Sequence, residues 1–233
     1  MDSIQQREIF LELGNLLNYT FEFPSTTLKW VKTRKNLQVA CFEFGPYRWE
    51  KNLFAKNIKF RTTASWLFYL NQEVLACCCK FIEEKMDQDV GELFLCSEGI
   101  TRECPAYQLR FLTVFYKKDI AVEQEKEKEA KIARDFATAL RQLLRHGPQY
   151  TQAFFISKNI TVYRWAGLLS TLEKDFLENM PMRRAEDEMD IIFHKIFINV
   201  IQQMDEECLS EKTRFVFSER MIDDKGLIIV IKE

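Results

Sequence analysis

The sequence is poor in glycine, proline and histidine, with 7 glycines, 5 prolines and 2 histidines among 233 residues. So little glycine and proline excludes collagen-like, low-complexity and solenoid-turn architectures, and it argues against the glycine-rich loops that bind phosphate in many nucleotide enzymes. His194 has apolar neighbours in a predicted helix, and His146 lies near a predicted helix end at which Gly147 is expected as the C′ residue. Both patterns favour structural histidines, so no catalytic residue is assigned.

Signals for membrane insertion, disulfides and metal binding are also missing. No run approaches about 18 uncharged apolar residues, and the N-terminus lacks a basic region followed by an apolar stretch. The seven cysteines are odd in number, and Cys77, Cys78 and Cys79 are consecutive, a spacing that strains disulfide geometry. Reduced thiols predict a cytoplasmic or nuclear protein without membrane contact. Because no C-x-x-C or H-x-x-x-H pattern occurs, we expect no metal and no cofactor.

The periodicity of apolar residues predicts an α+β fold. Helical spacing is found at 4–17, 64–86, 122–145, 165–179 and 185–207. Strand patterns are found at 92–96, 107–116, 214–221 and 227–232, and a hairpin is predicted at 154–163 with its turn at 158–159. Residues 28–60 read as a strand pair or meander that includes 37–44, with turns at Lys35-Asn36 and Gly45-Pro46. Most connections between neighbouring strands are too short for a crossover helix. We therefore expect about five helices packed on one or more mixed, largely antiparallel sheets.

The predicted domain organisation is a single compact domain over residues 1–233. The alternative is two lobes, a basic N-terminal lobe at 1–90 and an acidic C-terminal lobe at 91–233. The chain would then divide near the acid-rich stretch at 83–89 or near the start of the charged helix at Val122. We find no internal repeat with a period of 20–50 residues.

The distribution of charge carries the one positive functional signal. The net charge of -2 arises from 33 basic and 35 acidic residues, but residues 29–61 hold nine cations and only Glu43 and Glu50, a local charge of +7 against -9 in the remainder. Aromatic residues alternate with these cations, a pattern typical of proteins that contact phosphates and stack bases of single-stranded nucleic acid. The candidate binding residues are Lys29, Trp30, Lys32, Arg34, Lys35, Arg48, Trp49, Lys51, Lys56, Lys59 and Arg61.

An ordinary structural role could also produce this pattern. Alternation places Phe42 and Phe44 on one strand face, where they would belong to the core. The cations would then form a solvated outer face or pair with the acidic residues at 83–89 and 186–190.

The sequence thus favours a non-catalytic binding protein, with single-stranded RNA or DNA as the expected partner of the 29–61 segment. A second hypothesis is an accessory or regulatory protein that docks another polypeptide as a scaffold subunit of a complex. A third is a metal-dependent nuclease in which Glu43, Glu92, Asp119 and Glu123 converge. The sequence does not indicate an oligomeric state.

Overall fold

The computed structural model describes residues 3–21, 26–34, 36–44, 61–98, 108–117, 126–179, 182–205, 212–218 and 224–232. The chain forms two compact units, Met1–Ile120 and Ala121–Glu233. In the part of the chain that is described, no helix is long and apolar enough to cross a membrane.

The first unit contains two helices and a four-stranded sheet. Its strands follow the order β1-β2-β4-β3, and every neighbouring pair is antiparallel. In chain order the elements are α1 (Ser3–Phe21), β1 (Thr26–Arg34), β2 (Leu37–Phe44), α2 (Arg61–Met86), β3 (Val90–Glu98) and β4 (Gln108–Tyr116).

Helices α1 and α2 cover one face of this sheet, which we call the helix face. Their apolar residues, including Phe10, Leu13, Cys78 and Ile82, form one buried cluster with Ala40, Phe42, Leu112 and Val114 of the strands. Because successive strand residues point to opposite sides, the intervening residues lie on the opposite face. That face is also buried, at Val39, Cys41, Phe94, Phe111 and Thr113.

The second unit also has a four-stranded antiparallel sheet, in the order β5-β6-β8-β7. Its core joins α3 and α5 to the sheet through Phe136, Leu140, Phe197, Trp165 and Val230. The described elements are α3 (Lys126–Leu144), β5 (Tyr150–Ser157), β6 (Ile160–Ala166), α4 (Thr171–Asn179), α5 (Met182–Met204), β7 (Thr213–Ser218) and β8 (Lys225–Lys232).

The expected α+β class is confirmed, with five helices and eight antiparallel strands among the described residues. The helix predicted at 165–179 begins only at Thr171, since the alternation of Tyr163 and Trp165 continues β6 to Ala166. A capping box sets that start: the Glu173 carboxylate accepts hydrogen bonds from the Ser170 main-chain N–H at 2.7 Å and hydroxyl at 2.6 Å.

The C-terminus of α3 also differs from the prediction. The helix ends at Leu144, and the left-handed residue that follows is Arg145, with φ of 66°, rather than Gly147. Gly147 instead leaves room for the Arg141 side chain, whose Cγ would lie 2.2 Å from a Cβ at that position.

Candidate nucleic-acid interface

Strand β1 is the outer strand of the first sheet, and within the described residues it pairs only with β2. A bulge at Lys29 shifts the register between Leu28 and Trp30. Beyond the bulge, Trp30 lies opposite Cys41, Lys32 opposite Val39 and Arg34 opposite Leu37. Paired residues in an antiparallel sheet share a face, and Cys41, Val39 and Leu37 alternate with Ala40 and Phe42 of the helix face. The indole and the two cations therefore project from the opposite face, away from α1 and α2. We call Trp30, Lys32 and Arg34 the basic edge.

The indole of Trp30 is positioned by packing on its own sheet. Its ring centroid lies 5.8 Å from that of Phe111 on β4, with the planes inclined by 57°. Phe111 is buried, whereas Trp30 is half-buried and keeps part of its surface accessible. An aromatic ring held in this way loses little conformational freedom when it stacks on a ligand.

The cations of β1 differ in their electrostatic surroundings. The Lys29 ammonium lies 2.6 Å from the Glu43 carboxylate of β2, so that pair is neutral as a unit. This agrees with the structural interpretation of the basic segment, although the acid is a cross-strand neighbour and does not come from 83–89 or 186–190. The side chain of Lys32 is exposed to solvent, as that of Lys29 also is.

Residues on the helix side of β1 have structural contacts. Val31 packs against the core beneath the helices, and the Thr33 hydroxyl donates a hydrogen bond to the Gln6 side chain of α1 at 2.7 Å. Phe42 is buried on the same face, as its alternation predicted. Strand β1 therefore has one face committed to the core and one face that carries the basic edge.

The described structure brings together only part of the predicted binding set. Lys29, Trp30, Lys32 and Arg34 lie on β1, and Arg61 is the first residue of α2. The remaining candidates fall outside the described residues: Lys35, Arg48, Trp49, Lys51, Lys56 and Lys59.

The outer strand of the second unit has a different character. The β5 sequence Tyr150–Ser157 contains no charged residue, and helix α3 closes part of its outer side. The buried Glu129 carboxylate accepts a hydrogen bond from the Phe155 main-chain N–H at 2.8 Å, and the Thr151 hydroxyl donates one to the Ala133 carbonyl at 3.1 Å. Both outer strands have a bulge, and they differ in the rest of their protection: β1 has cations, and β5 has a carboxylate cap.

The acidic residues considered for a nuclease do not form a described cluster. Glu43 pairs with Leu109 at one end of β4, and Glu92 pairs with Phe115 at the other end. At about 3.3 Å per residue, the two carboxylate-bearing positions lie roughly 20 Å apart. Asp119 and Glu123 fall outside the described residues. Nowhere in the described ranges do three or more His, Cys, Asp or Glu side chains come together as a metal site.

The two histidines have structural surroundings. The His194 ring stacks on Phe217 with centroids 3.9 Å apart, and burial lowers the pKa of His194 to about 4. The His146 ring nitrogen Nε2 lies 2.9 Å from Glu173 Oε2, the oxygen that also serves the Ser170 capping box. Because Ser170 donates to Glu173 and has no bond to His146 among the described contacts, the three residues cap α4 and do not form a nucleophilic triad.

The cysteines of α2 are also unsuited to nucleophilic chemistry. Burial raises the pKa of Cys78, which lies in the core of the first unit, and of the half-buried Cys77 and Cys79. None of the three is in a disulfide. A raised pKa keeps each thiol of α2 protonated near neutral pH, which makes it a poor nucleophile.

Comparison with protein-family models, curated proteins and solved structures gave no match. Function must therefore be inferred from the chain itself. Sequence reasoning found the charge and the aromatic residues of β1, but it did not locate the bulge that places Trp30, Lys32 and Arg34 on the face opposite the helices. A strict alternation counted from Leu28 would have put these residues on the helix side.

Proposed function

We propose that the protein binds single-stranded nucleic acid along the basic edge of the first unit. The observation that supports this most directly is the shared face of Trp30, Lys32 and Arg34, which follows from their pairing with β2. Cations supply phosphate contacts, and an indole beside them supplies a stacking surface for a base. A binding role requires no catalytic group, in keeping with the structural surroundings of His146 and His194.

The spacing of the basic edge suits a nucleic-acid strand. Residues two apart on one strand face are separated by about 6.7 Å, and stacked nucleotides advance by about 3.4 Å each. Lys32 and Arg34 could therefore contact alternate phosphates while Trp30, two residues further along, meets a base. Each phosphate neutralised by a lysine or arginine releases bound counterion, which gives affinity that falls with salt.

A purely protective role explains the cations less well. Lysine at an outer strand can prevent edge-to-edge association, and so can a bulge. Both outer strands have a bulge, and β5 is further protected by Glu129 without any cation of its own. The fold therefore tolerates an outer strand without charge, so the cations of β1 call for a further explanation, and phosphate binding supplies one.

The proposal is tested by fluorescence anisotropy with labelled single-stranded RNA and DNA of about 16 nucleotides, a length within the range of known single-strand sites. The full chain should bind at about 50 mM salt and about sevenfold more weakly at about 200 mM. Lys32→Glu should weaken binding severalfold. Lys80→Glu, which makes the same charge change at an exposed position on α2, should leave it unchanged.

Two outcomes would count against the proposal. The first is no binding to either nucleic acid at low salt by a folded wild-type protein. The second is equal weakening by Lys32→Glu and Lys80→Glu, which would indicate diffuse attraction without a site. If instead a protein is bound stoichiometrically and RNA and DNA are not, the basic edge is a polypeptide docking surface and the nucleic-acid proposal is wrong.

A further inference from the structure

We infer that the chain is a tandem duplication of one α-β-β-α-β-β unit, whose first copy carries a basic outer strand and whose second copy carries an uncharged, capped one. The element orders agree, apart from the additional helix α4 before α5. The strand orders also agree: first-second-fourth-third describes both β1-β2-β4-β3 and β5-β6-β8-β7. This inference does not depend on the proposed function.

A constant difference in residue number relates the first halves of the two units. Helices α1 and α3 have 19 residues each, and the difference of 123 separates both their first residues, Ser3 and Lys126, and their last, Phe21 and Leu144. The same difference relates the starts of β2 and β6, Leu37 and Ile160. No insertion or deletion is needed between these points.

Buried positions follow the same difference. Phe10, Leu13, Gly14 and Leu17 of α1 correspond to Ala133, Phe136, Ala137 and Leu140 of α3. All eight are buried, on the side of the helix that faces its own sheet. Independent helices would have no reason to share both their length and the positions of their buried residues relative to the following hairpin.

The first hairpin of each unit makes the same contact with the last strand. In the sequence, a Lys-Asn pair stands between the two strands of each hairpin, at 35–36 and 158–159. The Asn36 carbonyl accepts a hydrogen bond from the Tyr116 N–H at the end of β4, and the Asn159 carbonyl accepts one from Lys232 at the end of β8, both at 2.9 Å. The two units therefore share a tertiary contact as well as an order of elements.

The registers between the central strands agree too. Leu37 pairs with Phe115 and Val39 with Thr113 in the first unit. Their counterparts Ile160 and Val162 pair with Ile231 and Ile229 in the second. Side chains consequently point to corresponding faces: Leu112 and Val114 lie in the first core, and Ile228 and Val230 lie in the second. The identical pairs between 3–42 and 126–165 are Ile9 and Ile132, Leu17 and Leu140, Lys35 and Lys158, Asn36 and Asn159, and Val39 and Val162.

The outer strands mark where the two copies differ. Each outer strand has one bulge, between Leu28 and Trp30 in β1 and between Phe155 and Ser157 in β5. Counted by their partners on the second strand of each unit, Trp30, Lys32 and Arg34 therefore correspond to Gln152, Phe154 and Ser157. On the preceding helices, Gln6 corresponds to Glu129, and each contacts the outer strand of its own unit: Gln6 through the Thr33 hydroxyl, and Glu129 through the Phe155 N–H. The helix position of Gln6 and Glu129 thus contacts the outer strand in both copies. Among the described contacts, Glu129 accepts a hydrogen bond from a main-chain N–H of its strand, whereas Gln6 accepts one from a side chain.

The cores offer a direct test, because the two copies fill equivalent positions with different volumes. The first copy has Phe10 against Phe42, with ring centroids 6.5 Å apart, and the second has Ala133 and Trp165 in the same core. In the second copy, the larger ring of Trp165 is thus found with the smaller helix residue Ala133. If the positions are equivalent, Phe42→Trp should recover part of the stability lost in Phe10→Ala.

The experiment is urea unfolding of the full chain for each single and double variant. We expect the double variant Phe10→Ala with Phe42→Trp to lose less stability than the sum of its single variants. The reciprocal pair in the second copy, Ala133→Phe with Trp165→Phe, should behave in the same way. As a control, Phe10→Ala combined with Ala133→Phe changes two different cores and should be additive.

Additive losses in both equivalent pairs would overturn the inference. A milder variant keeps the test decisive if Phe10→Ala does not fold. Gly14→Ala installs the residue found at position 137, and its Cβ would lie at an ordinary distance of 3.5 Å from Phe42. Its unfolding midpoint should be equal to or above that of the wild type, because alanine favours a helix over glycine. A clear loss would show that the two helices are not packed equivalently.

Discussion

The Lys29 ammonium lies 2.6 Å from the Glu43 carboxylate, across the bulged part of the β1–β2 pair. Because the charge of Lys29 is paired with Glu43, it is less available to a ligand bound beside Trp30, Lys32 and Arg34. An exposed ion pair of this kind contributes only about 0–1 kcal/mol to stability, so it can be removed without unfolding the sheet.

We expect Glu43→Gln to strengthen the binding of single-stranded nucleic acid. Loss of the carboxylate frees Lys29 for a phosphate and removes a negative charge beside the ligand. The logarithm of the binding constant should then fall more steeply with the logarithm of salt concentration, by up to about 0.7 in slope for one added contact. Glu84→Gln on α2 is the matched control, since Glu84 also neighbours a lysine, Lys80 at 4.0 Å. Equal effects of the two variants would contradict a specific role for Glu43.

Trp30→Ala should weaken binding by roughly 1–3 kcal/mol, the usual cost of losing one base stack. Because the indole neutralises no phosphate, the salt dependence should keep its wild-type slope. Anisotropy titrations at several salt concentrations separate these two effects. Tyr19→Ala removes an aromatic ring that is 89% exposed on α1 and should leave affinity unchanged. If Trp30→Ala changed only the slope, stacking on Trp30 would be refuted.

Glu129→Ala should destabilise the protein by roughly 1–3 kcal/mol, because it leaves the part-buried Phe155 N–H without its acceptor. Glu129→Gln retains a side-chain oxygen and should recover much of this loss. Urea unfolding measures the difference, and amide hydrogen exchange at Phe155 reports the bond itself. Wild-type stability and exchange in Glu129→Ala would show that the carboxylate does not cap β5.

His194 should make the protein less stable as the medium becomes acidic. Burial lowers its pKa from 6.5 to about 4 in the folded state, so between these values the unfolded state binds more protons. The unfolding free energy should therefore fall as pH decreases from 6.5 towards 4, by roughly 3 kcal/mol at most, and this contribution should level off below 4. His194→Phe keeps a ring beside Phe217 and should remove that part of the pH dependence. If the unfolding free energies of the wild type and His194→Phe changed by the same amount between pH 6.5 and 4, this linkage would be ruled out.

Much of the fold follows from apolar periodicity and turn residues. The helical repeat of Phe10, Leu13 and Leu17 predicts α1 and its buried side, and the Lys-Asn turns predict both first hairpins. The start of α4 was missed because β6 continues through Trp165 and Ala166, whereas the Ser170 and Glu173 capping pair was visible in the sequence. The sequence does not reveal the repeat that we infer, because its period of 123 residues is long and few residues are identical between the two copies.

The residue types of the candidate site could be predicted from the sequence, but their positions in the sheet could not. Charge counting identifies Lys29, Lys32 and Arg34 without structural information. The pairing of Lys29 with Glu43 depends on which strands are neighbours, a long-range property that residue patterns do not encode. The face of Trp30 depends on a one-residue bulge, and a shift of one residue reverses every side chain that follows it.

The most direct test of nucleic-acid binding is the salt dependence of the affinity of the wild-type chain for single-stranded RNA and DNA. Phosphate contacts by Lys32 and Arg34 alone should give a slope of about -1.4 in a plot of log binding constant against log salt concentration. Lys32→Glu should reduce the magnitude of that slope by about 0.7. A wild-type slope near zero, or a slope that Lys32→Glu leaves unchanged, would contradict binding through the basic edge.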